Sequence, residues 1–503
     1  MERILSQEPF TKITRKKSQS IRFITFNVNG VKTVFNYHPW NKFNNDFNAM
    51  FNSLGADIIT LQELKLTEQT MGMLKNIGHL DDFRSFISLP STKKGYSGVG
   101  LFVRIPRSSA QQECLTVVKA EEGITGWLCA RGSDKSYREV EGKVEGTQEE
   151  DGHDASIGGY TDITKEEGLE LDSQGRCVAI ELANNCVVFA LYCPANSMGT
   201  DEGEAFRMKF LTHLLLRCQN LDRIGKKVVV MGDINVSLDL IDSAEGINDR
   251  LMKNLITDCR DGHTFEVQNY EECCGFKTSR LFRQLLNSYV FSSMWHSLLP
   301  ESEKMNNQFL YDTTRYIQGR RRKMYTVWNT LTSSRQINYG SRIDLILCNS
   351  HEMVKSISNA DIWPFILGSD HCPVFTDFDL LPRKDDVGDF PIQQYTKLAF
   401  EAKNHYKLNK SRDISTLFLN GRIKKRQTTE SDSDTSVVSG STTWTNTEEP
   451  QELKDLHTCT QPTPLSSQHN EGNKKRPSSR LIYTSRKVKK PSKPQKPINQ
   501  FFS

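Results

Sequence analysis

Eight short apolar runs constrain this chain more than anything else in it. They cover residues 21–28, 56–62, 99–103, 177–182, 187–193, 227–231, 342–348 and 372–378. Each is rich in Val, Ile, Phe or Thr and is bounded by turn residues, the signature of a strand. Helical spacing fits between some of them. Phe43, Phe47, Phe51 and Leu54 share one face, and Phe206, Phe210, Leu214, Cys218 and Leu221 share another. Many strands with a few helices between them predict a sheet protein with helices packed on its outer faces.

Chemistry-bearing side chains collect where these runs end. Asn27 and Asn29, one residue apart, project on the same side of the first strand. Glu63 follows the run 58–61, a good place for a metal ligand. Tyr192 closes another run and can donate to a phosphate oxygen. Asp233 and Asn235 alternate beyond 228–231, and Asp370-His371 follows the apolar stretch 362–367. Asp344 sits inside the strand 342–347, where a lone carboxylate is costly unless paired. His371 is a suitable partner, because a carboxylate on one imidazole nitrogen leaves the other nitrogen facing substrate. Taken singly, these residues have plain explanations: an Asn-Gly turn, a solvated strand end, an aromatic such as Trp328 in the core. Six polar groups at the ends of separate strands are hard to explain as surface.

Charge divides the chain unevenly. Residues 384–503 hold 21 basic and 13 acidic residues, net +8, and residues 120–172 hold 5 basic and 15 acidic, net −10. With 65 basic and 61 acidic residues in all, the remainder comes to +6. A basic body and a basic tail suit a polyanion such as nucleic acid, although ordinary solvated surface explains the body equally well. Twelve cysteines without a C-x-x-C pair read as free thiols in a reducing, intracellular setting, with no zinc site. The longest apolar run, 186–193, is far too short for a membrane span, and the N-terminus lacks a signal-peptide core. No membrane is expected, and the chain is expected to act as a monomer.

The expected organisation is a flexible 1–20, a body over 21–383 interrupted by a partly ordered acidic insertion at 105–172, and a largely disordered basic linker at 384–494. Two basic clusters, Lys474-Lys475-Arg476 and Arg486-Lys487-Val488-Lys489-Lys490, read as a nuclear import signal. Residues 495–503 form a separate peptide. Gln495, Ile498, Phe501 and Phe502 are spaced so that one helical turn makes an apolar plug with a polar cap, which matches the peptide motif that binds the sliding clamp, proliferating cell nuclear antigen.

The strand-end motifs also carry a resemblance. Asn27-Val28-Asn29-Gly30, Leu61-Gln62-Glu63-Leu64-Lys65, Gly95-Tyr96-Ser97-Gly98-Val99, Gly232-Asp233-Ile234-Asn235, Arg342-Ile343-Asp344 and Leu367-Gly368-Ser369-Asp370-His371 together resemble the endonuclease/exonuclease/phosphatase superfamily. Within it they resemble the exonuclease III branch of abasic-site endonucleases. The acidic insertion, Leu171-Asp172-Ser173-Gln174-Gly175-Arg176, Tyr192-Cys193-Pro194 and the clamp-like C-terminus point to the second eukaryotic subfamily of that branch, in its fungal form. The resemblance implies an α+β fold, a four-layered α/β sandwich of two mixed β-sheets flanked by helices. It implies a Mg2+-dependent nuclease, with Mn2+ as a substitute, that acts in base excision repair on double-stranded DNA with abasic sites or recessed or blocked 3′ ends. The activities implied are abasic endonuclease, 3′-phosphodiesterase and 3′→5′ exonuclease.

The roles follow position by position. Glu63 is implied as the Mg2+ ligand, helped by Asn27 and Asp370, with Asp233, Asn235 and His371 as further members of the metal set. Asp233 orients or deprotonates the attacking water, with Asn235 beside it. His371, held by Asp344, stabilises the scissile phosphate. Tyr192, Asn29, Lys65, Asn196 and Arg342 are expected to contact phosphate or DNA, and Trp328 to wall a sugar pocket. Two departures, Ala195 at the family's phosphate-binding Asn and Ser341 where abasic specialists carry Trp, weaken abasic incision more than 3′-end trimming. With only Cys459 after residue 380, the C-terminal zinc module of animal relatives is expected to be absent. The competing readings are an inositol-phosphate or lipid phosphoesterase of the same fold and a catalytically weak clamp-bound adaptor.

Overall fold

In the computed structural model the apolar runs become the strands of two mixed sheets. The structure describes residues 9–72, 74, 76–92, 95–140, 156–291, 307–382 and 397–408. The chain divides into two units, Met1–Gly421 and Arg422–Ser503, and everything described belongs to the first. The first sheet contains β1 (Ser20–Asn27), β2 (Ile58–Gln62), β3 (Phe83–Ser88), β4 (Val99–Arg104), β14 (Ile357–Ile362) and β15 (Val374–Asp379), in the order β14-β15-β1-β2-β4-β3. The second contains β5 (Val117–Glu122), β6 (Cys177–Leu182), β7 (Cys186–Tyr192), β8 (Lys227–Asp233), β9 (Val290–Phe291), β10 (Leu310–Asp312) and β13 (Asp344–Cys348), in the order β5-β6-β7-β8-β13-β10-β9. A ribbon of β11 (Val327–Trp328) and β12 (Gly340–Ser341) completes the set. Parallel β1–β2, β7–β8 and β9–β10 pairs among antiparallel neighbours make both sheets mixed.

The period-two geometry of a strand explains the layers. In β1, Ile21 and Phe23 enter one buried cluster and Ile24 and Phe26 another. In β7, Val188 and Ala190 join the first cluster, while Val187, Phe189 and Leu191 join a third. The shared cluster is the seam between the two sheets. The outer face of the first sheet is covered by the helix Phe47–Ser53, and that of the second by the helices Asp201–Arg223 and Leu281–Tyr289. Strands buried on both faces have no reason to alternate with polar residues, which is why they read as continuous apolar runs. The four-layered α+β sandwich expected from the sequence is the observed fold. The face 206–221 lies on one helix as expected, capped by Thr200, whose side chain accepts from Gly203 N at 3.0 Å. The face 43–54 does not, because Phe43 ends a separate 3-10 turn and the helix begins at Phe47, after Asn44 and Asn45 with positive φ.

Three boundaries differ from the expectation. The N-terminal arm packs from Pro9 onward: Phe10 meets Trp40 edge-on with centroids 5.5 Å apart, and Lys16 pairs with Asp57. The acidic segment 105–172 is not an insertion over its whole length. It holds β5, an edge strand of the second sheet, and the helix Lys165–Asp172, while 141–155 lie outside the described residues. Its acidity misled because three of its carboxylates are interior. Glu121 is fully buried against Arg217, at 2.6 Å; Glu122 pairs with Arg131; and Asp172 accepts from Ile124 N at 2.7 Å. At the other end, part of the expected linker is structured. Residues 397–408 pack on β3, with Leu398, Phe400 and Tyr406 buried and Glu401 2.9 Å from Arg84. Among the described residues no helix is long and apolar enough to cross a membrane, and the eleven cysteines are free. The import clusters, the clamp peptide with Gln495, Ile498, Phe501 and Phe502, and Cys459 lie outside the described residues.

Candidate active site

Register builds half of the site. β8 pairs with β7 on one side and with β13 on the other, so Asp233 stands opposite both Tyr192 and Asp344. Gly232, just before Asp233, allows this close pairing: a Cβ there would stand 2.0 Å from the Leu191 carbonyl oxygen. Past the strand, Asn235 adopts a left-handed turn (φ 57°). Its amide N–H donates to Asp233 Oδ1 at 3.0 Å, and its Nδ2 donates to the Cys193 carbonyl at 2.8 Å. The Asp344 amide donates to Thr326 Oγ1 at 3.2 Å, which ties β13 to the segment leading into β11.

The first sheet supplies the other half, on turns. Asn29, Glu63 and Lys65 all have positive φ, of 46°, 52° and 52°. Asn27 Nδ2 donates to Glu63 Oε1 and to Asp233 Oδ2, both at 2.9 Å, and so bridges the two carboxylates. Asn29 Nδ2 donates to Asp370 Oδ1 at 2.9 Å, and Lys65 Nζ donates to Asn29 Oδ1 while standing 3.0 Å from Glu63. The Ser369 hydroxyl donates to the Asn27 carbonyl at 2.7 Å and anchors the loop that carries His371. His371 joins the halves. Its Nδ1 lies 2.8 Å from Asp344 Oδ2, and its Nε2 faces Asp233 Oδ2 at 3.9 Å.

Burial sets the electrostatics. It pushes the Asp233 carboxyl up to about 8, and the Asp344 charge adds to the shift. For His371 burial works against the proton, but the bonded Asp344 outweighs it and raises the imidazole to about 10. Burial, with the Glu63 and Asp233 charges, also raises the Tyr192 hydroxyl, which therefore remains a proton donor. Glu63, Asp233 and His371 offer ligand atoms that all lie within 4.8 Å of one another. Around them stand four carboxylates (Glu63, Asp233, Asp344 and Asp370) against Lys65 and His371. That excess of negative charge and the hard oxygen donors fit a divalent cation of the Mg2+ or Mn2+ kind.

A profile of the Endonuclease/Exonuclease/phosphatase family matches residues 24–371, more than half of the chain. DNA-(apurinic or apyrimidinic site) endonuclease 2 of Saccharomyces cerevisiae is 44% identical over 416 residues, covering 80% of this chain and 75% of the yeast protein. The chain belongs to the endonuclease/exonuclease/phosphatase family, in its AP endonuclease 2 branch. The protein of the same name from Schizosaccharomyces pombe is 29% identical over 84% of this chain and 70% of its own length, and the human one is 25% identical over 70% and 59%. The structure of the Xenopus laevis APE2 catalytic domain matches with a TM-score of 0.49 and 25% identity, over 72% of this chain and 94% of that chain. The branch and the fungal likeness are those the sequence motifs pointed to, and nucleases of this family depend on a divalent metal.

Set in that family, most of the expected residues converge and some do not. Asn27, Asn29, Glu63, Lys65, Tyr192, Asp233, Asn235, Asp344, Asp370 and His371 form one connected cluster. Within it, Asn27 presents its amide nitrogen to the carboxylates and its oxygen to the Asn29 amide, at 3.0 Å, so it orients the metal ligands. Arg342, expected at DNA, is instead buried. It grips Asp242 through Nε at 2.8 Å and Asp312 at 2.7 Å, two buried acids that draw its guanidinium into the interior. Asn196 does not reach the cluster; its Nδ2 donates to Thr200 O at 3.0 Å and Glu204 Oε2 at 3.1 Å. Trp328 is buried at 3% exposure, under the Arg335 guanidinium at 4.4 Å, and so is not an open pocket wall. Three supports went unassigned in the sequence: Thr326, Ser369, and Arg176, which lies 4.9 Å over the Tyr192 ring. The Ser between Gly368 and Asp370 was a signal for the second, and the motif Leu171–Arg176 for the third; Thr326 had none, since its partner Asp344 is distant in sequence.

Proposed function

We propose that this protein is a Mg2+-dependent DNA repair nuclease that incises abasic sites and trims blocked 3′ ends. It is a hydrolytic DNA nuclease by family, and one observation carries the finer reading. A buried carboxylate, Asp233, and a carboxylate-held imidazole, His371, face one space beside Glu63. Asp233, held up by burial, is a stronger base than a surface carboxylate and accepts a proton from the attacking water. His371 keeps its proton and stabilises charge on the phosphate, with the Tyr192 hydroxyl as a second fixed donor. The Asn235 amide holds Asp233 in place. A Mg2+ ion held by Glu63 and its neighbours supplies charge neutralisation at the phosphate and the leaving oxygen.

The clamp peptide and the import clusters complete the reading: a nuclear enzyme tethered to the sliding clamp by its last residues, at raised local concentration. Abasic and nicked duplexes incubated with and without Mg2+ test the activity; no cleavage of either with Mg2+ present sinks it. Phe501→Ala with Phe502→Ala should abolish clamp binding in a calorimetric titration while leaving cleavage of short free duplexes intact.

A further inference from the structure

A cavity of about 920 Å3 opens between residues 258–263 and 318–323, apart from the carboxylate cluster. Five of its eleven lining residues are Arg or Lys and two are Asp, so its walls carry a positive surplus. The pairing pattern shows where that surplus sits. Arg320 is committed to Asp239, at 2.6 Å, and to Glu266, deep in the wall. Arg322 pairs with Asp258 at 2.6 Å and lies 4.3 Å over the Phe265 ring, and Arg321 pairs with Asp361. Asp261 is occupied by the Thr264 amide, which donates to it at 2.7 Å. Arg260 and Lys323 are exposed and have no ion-pair partner among the described residues. The cavity is closely built on one side: a Cβ on Gly262 would meet the Arg320 carbonyl oxygen at 1.7 Å, so only glycine lets these two segments touch.

The cavity is wired to the catalytic loop. Asn338 Nδ2 donates to the Lys323 carbonyl at 3.0 Å, Trp328 Nε1 donates to Asn338 Oδ1 at 3.0 Å, and the Trp328 amide donates to the Asp370 carbonyl at 3.0 Å. Lys323 lies three residues before Thr326, which holds the Asp344 amide.

We propose that this cavity binds the phosphodiester backbone of the DNA away from the scissile bond, with Arg260 and Lys323 as the phosphate contacts. This rests on the nuclease reading above and adds where the strand lies. The test measures duplex affinity against salt for the full chain, for Arg260→Gln/Lys323→Gln, and for a control pair, Arg223→Gln/Lys403→Gln, that removes the same charge from other elements. Each phosphate contact contributes about 0.9 to the slope of log affinity against log salt, so the cavity pair should flatten the slope by about two and the control pair should leave it nearly unchanged. Thermal melts of all three proteins separate this loss from misfolding. A cavity pair with the wild-type slope overturns the proposal while leaving the nuclease reading intact. A wild-type protein that neither binds nor cuts DNA overturns both.

Discussion

The two halves of the site are built by different rules. The second sheet presents Tyr192, Asp233 and Asp344 from neighbouring strands in ladder register, each less than a tenth exposed. The first sheet presents Asn29, Glu63 and Lys65 from left-handed turns, with Asn29 and Lys65 exposed to solvent. A ladder fixes side chains to within the tolerance of its hydrogen bonds, and burial strengthens every charge on it. A turn at the rim tolerates adjustment and keeps water. The inner half is therefore suited to proton transfer and charge stabilisation, and the outer half to receiving an ion and a phosphate that must come and go.

If that division is right, damage should be graded from the inside outward. Asp233→Asn or His371→Ala should lower turnover by ~10²–10⁴-fold each with the thermal midpoint close to wild type; near-normal cleavage by either purified variant would remove the inner half from the chemistry. Asp344→Asn should cost about 10–100-fold, because it removes only the partner that orients His371. It should also shift the pH profile. His371 is held near 10, above its ordinary 6.5, so it keeps its proton through neutral pH and loses it as pH rises through about 10. Losing Asp344 moves the alkaline limb of activity to lower pH, and an unmoved limb would count against the pairing.

The outer half should respond to metal. Glu63→Ala should raise the Mg2+ concentration needed for half-maximal cleavage. In wild type, Mg2+ should raise the melting temperature more at alkaline than at mildly acidic pH, because burial holds the Asp233 proton on up to about 8 and a cation must displace it. An equal rise at both values would argue that Asp233 lies outside the metal set. The smallest effect belongs to Lys65→Ala. Lys65 is 38% exposed and its pair with Glu63 is screened by solvent, so a change of a few-fold in KM is expected with kcat nearly unaffected.

Much of this was readable in the chain. Strands buried on both faces leave an apolar run that only a sheet core explains, and their ends carry Asn27, Glu63, Asp233, Asp344 and His371 in order. What misled was the local reading of charge and of exposure. The segment 105–172 looked like a polar insertion because Glu121, Glu122 and Asp172 are acidic, yet each is neutralised indoors by Arg217, by Arg131 or by backbone amides. Arg342 was expected at DNA from the family motif, whereas Asp242, a hundred residues away, draws it inside. Asn196 was expected to stand in for the family's phosphate-binding Asn, whose position Ala195 holds, but Thr200 and Glu204 take its amide.

Periodicity and strand-end chemistry are local properties, so the sequence by itself determined the layered class of the fold and the groups proposed to react. Which groups meet depends on strand order and register. Only the tertiary structure brought Asp344 to 2.8 Å from His371, let Asn27 bridge Glu63 to Asp233, and joined residues 258–263 to 318–323 in one basic cavity. Burial then decided which charges face substrate and which hold the scaffold together, because a buried charge must find its partner within the protein while an exposed one can keep water.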